Sequence, residues 1–231
     1  QLNDKIAIIG QLAKTIRYQG GGSSHINAYR VDSILESLPK NIQYQYSDGY
    51  DLEGDGFNQS LIDEARRIAV NKDKVILVLG LTDAYESEGY DRTHLNLPLG
   101  HLELLKTISQ MTDNIVVVLQ LGSPIIMPWI EDVKAILNAY LAGEAGAKAI
   151  VDILYGYANP SGRLAETFPL TLETTPSHGN FAKGNGDVNY QESIYVGYRY
   201  FTSINQNVLF PFGHGLSYSS FEYSNLKINH V

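Results

Sequence analysis

"KVILVLG" at 74–80 is followed almost at once by "TDAYESEGYDRTHLNLP" at 82–98. The first stretch is an unbroken apolar run ending in glycine, the signature of a strand buried on both faces of a parallel sheet. The second sets Glu86, Glu88, Asp91 and Arg92 directly beyond that strand. It runs for roughly 18 residues before the next helical pattern, where connections in such folds usually take about 2–6. Loops of that length in compact domains are functional or disordered, and the tyrosines and Pro98 argue for order.

The same strand texture recurs in "KIAIIG" (5–10) and "NIVVVLQLG" (114–122). "VKAILNAYL" (133–141) fits it too, although periodicity alone also permits a helix there. Helical spacing appears between these runs. Val31, Ile34, Leu35 and Leu38 share a face in 30–38, and Leu61, Ala65, Ile68 and Ala69 in 58–72. Leu102, Leu105 and Ile108 do so in 99–111, with Pro98 at its start, and small residues fill 144–156 up to Gly156. Alternating strands and helices predict an α/β fold: a three-layer α/β/α sandwich around a mostly parallel, flavodoxin-like sheet of about six strands. In that architecture ligands bind beyond the carboxyl ends of the strands, where the acidic loop emerges.

After Pro160 the texture changes. Gly, Asn and Tyr dominate 178–201, which reads as an ordered extended arm, taken as 176–212. Residues 209–228 alternate aromatic and polar side chains late on, like the opening strand of a β-sandwich. The expected division is a sandwich domain over 1–215 and the start of a further domain over 216–231.

The bulk numbers narrow the function. The chain has 231 residues, 17 Lys and Arg against 25 Asp and Glu, and a formal net charge of −8. A nucleic-acid binder needs the opposite balance to displace counterions from phosphate, so no nucleic-acid partner is expected. No apolar run approaches the roughly 20 residues that span a bilayer, and no membrane partner is expected. The lack of cysteine removes disulfides and thiolate sites. The chain opens at Gln1 without a signal-like segment, which suggests a processed or excised chain and leaves the compartment open between cytoplasm and secretion.

Three clusters invite chemical readings. "GGGSS" (20–24) follows the first strand, but it lacks the lysine of a phosphate-binding P-loop and the GxGxxG of a dinucleotide site. It serves either as a tight loop or, through Ser23 and its backbone amides, as a contact for an uncharged polar ligand such as a sugar. His94 and His101 stand seven apart with no further ligand at metal spacing, so neither metal nor cofactor is expected. The carboxylates around Glu88 are solvated loop charges, or a salt-bridge cluster with Arg92, or a general acid/base in a partly desolvated site.

Resemblance chooses among these. "YQGGGSS" (18–24), "ESEGYDR" (86–92), "LNLP" (95–98), "LGSP" (121–124), "AGEAGAKAIVDILYGYANPSGRLAETFP" (142–169), "YQESIYVGYRYF" (190–201) and "LFPFGHGLSYSSF" (209–221) run in the order of the α/β-sandwich domain of glycoside hydrolase family 3. That family contains β-glucosidases and β-xylosidases. The resemblance implies a retaining β-glycosidase acting on terminal β-D-glucosyl residues of a glucoside or oligosaccharide. It also implies a partner barrel domain of TIM type, absent from this chain, that carries an aspartate nucleophile. A fibronectin type III-like domain would begin near 221–228. Carried onto this sequence, the family's acid/base glutamate falls on Glu88, with Asp91 and Arg92 bracing the loop. Ser23 and Tyr85 become substrate contacts, and Glu86 is expected to be solvated or paired with Arg92. Tyr85 stands where many relatives carry tryptophan, and Ala165 where proline is frequent. A carbohydrate-binding or accessory domain without catalytic role is the alternative, and a flavodoxin-like regulatory or nucleotide-binding domain is a third class.

Overall fold

The computed structural model describes residues 4–54, 56–181 and 186–229. Among the described residues five strands form one sheet: β1 (Ile6–Ile9), β2 (Tyr44–Ser47), β3 (Lys74–Gly80), β4 (Ile115–Gln120) and β5 (Ala135–Asn138). Their order is β2-β1-β3-β4-β5 and every pairing is parallel. The sheet is thus one strand smaller than the sequence suggests. It contains β2, which the apolar runs do not announce: "YQYS" is an edge strand whose first two side chains are exposed, so it needs no continuous apolar run. The run at 133–141 resolves as the opposite edge strand, β5.

The chain moves outward from β1 to β2, then returns past β1 to β3 and continues to β4 and β5. Because parallel crossovers are right-handed, this reversal puts the helix between β1 and β2 on one face and the helices between β2 and β3 and between β3 and β4 on the other. Helices α2 (Gln59–Ala69) and α3 (Leu99–Ser109) pack together on one face, and α1 (Ile34–Ser37) and α4 (Gly146–Leu154) on the other. Helix α1 is much shorter than the periodicity of 30–38 implies. Ser33 closes a capping box with Glu36 at its start, and Leu38 turns to φ −65, ψ 142 at its end. Leu38 precedes Pro39, whose ring disfavours the helical region for the residue before it. Val75, Leu77, Val117 and Val118 are fully buried between the helical layers.

Beyond α4 the chain is mostly turns. Two motifs there clip each other: Leu164 N–H donates to His214 O at 2.8 Å and Gly213 N–H to Leu164 O at 2.8 Å. Phe168 and Phe210 form an antiparallel bridge, and Asn159 Oδ1 accepts from Ser217 Oγ and Tyr218 N. The arm contains a helix not anticipated from its composition, α5 (Tyr198–Ser203). Residues 182–185 of the arm lie outside the described residues. Residues 221–229 form no strand, and Tyr223 and Leu226 are almost fully exposed. A strand needs a neighbour for its backbone groups, and none lies alongside among the described residues.

Candidate active site

The chain reverses direction between β1 and β3, and loops leaving β1, β3 and β4 converge at their carboxyl ends. They enclose a cleft of about 350 Å³ lined by Gly20, Gly21, Tyr85, Glu86, Glu88, Arg92 and Ser123, among others. This is the switch point at which open parallel sheets hold ligands.

The 82–98 loop forms no helix or strand. Tyr85 and Glu86 N–H groups both return to Thr82 O, giving one tight turn, and Glu86 then points inward. Its carboxylate is nearly buried, with 13 % of the side chain exposed. Oε2 accepts from Arg17 Nη1 at 2.5 Å and from Gly122 N at 2.8 Å, and Oε1 accepts from the Ser123 hydroxyl. Arg17, 7 % exposed, also donates to Leu81 O and to Glu86 O, and lies 3.5 Å from Asp83. Its own N–H donates to Gln120 Oε1 at 2.7 Å, while Gln120 Nε2 donates to Leu12 O. Glu86 is therefore neither solvated nor paired directly with Arg92. Its partner comes from a segment, "KTIRYQ", that carries no periodic signal. The available hint was an arginine placed just after a buried strand with no acidic neighbour in sequence.

Glu88 is exposed on the cleft rim. Among the described residues one holds its carboxylate: Ser23 Oγ donates to Oε1 at 2.6 Å and Ser23 N to Oε2 at 3.1 Å. Hydrogen bonds to the charged form, the hydroxyl's first, hold the Glu88 carboxyl below its ordinary value. Ser23 thus contacts Glu88 itself. The glycine loop fits against that side chain closely. Gly22 has φ +79, and a Cβ there would stand 2.8 Å from Glu88 Cγ.

Arg92 anchors the loop's far side, its Nη2 donating to Ser123 Oγ and Pro124 O, both at 3.0 Å. Burial lowers the Arg92 pKa, with the charges of Glu86 and Glu166 opposing. Asp91 is exposed and makes no hydrogen bond or ion pair among the described residues, so no such bond lets it brace the loop. Tyr85 is half-buried against the core, its ring edge-on to His94 at 6.0 Å. His101 lies far from solvent in the core, its ring tilted by 39° against Tyr50 at 3.7 Å, with Nδ1 accepting from Gly80 N. Glu166, which the sequence reading passed over, is half-buried beside Tyr140. Burial raises its pKa, the Tyr140 contact and Arg92 lower it, and the Glu86 charge adds to the rise.

Comparison with known proteins follows the same geometry. The Glycosyl hydrolase family 3 C-terminal domain matches residues 1–218. Thermostable beta-glucosidase B of Acetivibrio thermocellus is 48% identical over 228 residues, covering 97% of this chain and 30% of that protein. An exo-alpha-(1->6)-L-arabinopyranosidase of Bifidobacterium longum is 40% identical over 226 residues, again 97% and 30%. Among solved structures, a Bifidobacterium adolescentis GH3 beta-glucosidase superposes with TM-score 0.90 at 41% identity, over 95% of this chain and 32% of its own. Beta-glucosidase 3B of Thermotoga neapolitana, solved with alpha-D-glucose, gives 0.82 at 28% identity, over 99% and 36%. The chain thus spans about a third of the length of these relatives. With an all-parallel sheet in the order β2-β1-β3-β4-β5 and a match over nearly its whole length, the chain belongs to glycoside hydrolase family 3, as its C-terminal domain.

Proposed function

We propose that this domain supplies the general acid/base of a retaining β-glucosidase, and that Glu88 is that group. The nucleophile is an aspartate on a barrel domain of the same enzyme, which docks over the cleft. In the first step Glu88 gives its proton to the glycosidic oxygen as the aspartate attacks the anomeric carbon, and the aglycone leaves. In the second, Glu88 takes a proton from water, which displaces the aspartate and releases the sugar with its configuration retained. The two carboxyl groups of such a pair stand about 5–5.5 Å apart. The observation that carries this reading is the placement of Glu88: exposed on the cleft rim, two residues from a deeply anchored Glu86.

Relatives carrying this domain are named for glucose and for L-arabinopyranose. That spread fits a division in which the barrel selects the sugar and this domain supplies the proton. The exposed aromatic side chains of Tyr90, Tyr190, Tyr195 and Tyr198 offer apolar area for barrel contact.

The test uses the barrel-containing enzyme. Glu88→Gln should cripple substrates with poor leaving groups and largely spare activated aryl glucosides, which need little protonation. Azide should restore turnover by attacking the glycosyl-enzyme and giving the β-glycosyl azide. Equal losses on all substrates, without azide rescue, would assign the acid elsewhere.

A further inference from the structure

We infer that Glu86 is the positioning residue of the acid loop, and that Ser123 is the post to which both ends of the loop are tied. The inference rests on Glu88 being the acid/base. Glu86 meets Ser123 through Oε1 on one side of Glu88, and Arg92 meets the same hydroxyl at 3.0 Å on the other. Residues 87–91 form an arch between the two anchors, with Glu88 on it.

The strength of the two holds differs. Among the described residues Glu88 is hydrogen-bonded only by Ser23, at the exposed rim. Glu86 is gripped by Arg17, Gly122 and Ser123, from loops that follow two different strands. A Cβ on Gly122 would come within 3.2 Å of Glu86 Oε2, so the carboxylate sits directly on that backbone. One residue separates Glu86 from Glu88, and an extended residue spans only about 3.3–3.6 Å. A shift at Glu86 therefore reaches Glu88 with little slack to absorb it. Misplacement by about 1 Å can cost a reaction up to about 100-fold.

The barrel-containing enzyme tests this with Glu86→Gln, Ser123→Ala, Ser123→Thr and Glu88→Gln. Glu86→Gln and Ser123→Ala should lower kcat/KM on poor leaving groups by roughly 10- to 100-fold more than on activated aryl glucosides. Azide should not rescue them, because the Glu88 carboxylate remains and repels the anion. Ser123→Thr, which keeps the hydroxyl, should retain most activity. Should Glu86→Gln not fold, Ser123→Ala carries the test alone, since it removes the hydroxyl's two hydrogen bonds, to Glu86 and from Arg92, but leaves Glu86 with Arg17 and Arg92 with Pro124 O. If Glu88→Gln shows leaving-group dependence and azide rescue while Ser123→Ala behaves alike on all substrates, the positioning role is overturned and the acid assignment stands. If Glu88→Gln shows neither signature, both fall.

Discussion

Replacing Arg17 with methionine should destabilise this domain far more than losing a surface ion pair would. The arginine and Glu86 side chains are 7 % and 13 % exposed. Without the guanidinium, the Glu86 carboxylate keeps the Gly122 amide and the Ser123 hydroxyl but loses its contacting cation. Leu81 O and Glu86 O lose a donor as well. Breaking a buried pair by removing one partner costs about 3–5 kcal/mol, whereas exposed pairs contribute about 0–1. For a domain of this size each kcal/mol moves Tm by about 2–4 °C, so Arg17→Met should lower Tm by roughly 6–20 °C. Urea melts of Arg17→Met, Glu86→Gln and the double variant complete the experiment. The double variant strands no charge, so its loss should be smaller than the sum of the single losses by about 1–3 kcal/mol. A single-variant loss below about 1 kcal/mol, or additivity within about 0.5 kcal/mol, would mean that the pair behaves as a solvated one.

Other outcomes follow from single sites. Ser23→Ala removes the hydroxyl that first lowers the Glu88 pKa, so the Glu88 titration followed by carbon NMR should move up toward its ordinary 4.5; an unchanged or lower value would contradict the contact. His101, pushed down to about 3 by burial, stays neutral in the fold while the unfolded chain takes up a proton below about 6.5. Stability should therefore fall with acid between those values, by up to about 1.4 kcal/mol per pH unit from this group, and His101→Leu should flatten that part of the curve in pH-dependent melts. Gly10→Ala combines φ +131 with a Cβ 2.1 Å from Val78 O at the centre of the sheet, and should abolish soluble folded protein; a well-folded variant would refute the placement. The 231-residue chain alone should not hydrolyse aryl β-glucosides, because a general acid supplies only about 10²–10⁴-fold of a glycosidase's acceleration; turnover lost on Glu88→Gln in this chain would contradict that.

Legibility in the sequence tracked burial. Strands β1, β3 and β4 are buried on both faces and announce themselves as apolar runs. Strand β2 does not, because an edge strand can carry polar side chains; only the alternation of Ile42, Tyr44 and Tyr46 hints at it. Residues 221–228 carry strand-like alternation yet form no strand, since alternation describes a face and cannot supply the neighbour that a ladder requires. The loop bearing Glu88 was legible from its length and its place after β3. The Arg17–Glu86 pair was not, because its members lie 69 residues apart and meet only when β1 and β3 pair side by side. The two anchors on Ser123 were hidden for the same reason.

The state of Glu88 bears on how the two halves of the proposed reaction divide the work. Here Ser23 favours the carboxylate, first through its hydroxyl and then through its amide, and burial opposes this only weakly. The base that activates water in the second step is this ionised form. The acid of the first step is the opposite form, and a glutamate serving as acid is usually tuned up to about 6–7. Two changes would raise it: removal of water by a docked barrel, and the nearby charge of an aspartate nucleophile. Once that aspartate is spent in the covalent intermediate its charge is gone, and the Ser23 bonds again favour the carboxylate. The nucleophile's own cycle would thus switch Glu88 from acid to base. Ser23 then matters most in the second step, and its loss should weigh on release of the sugar more than on departure of the aglycone.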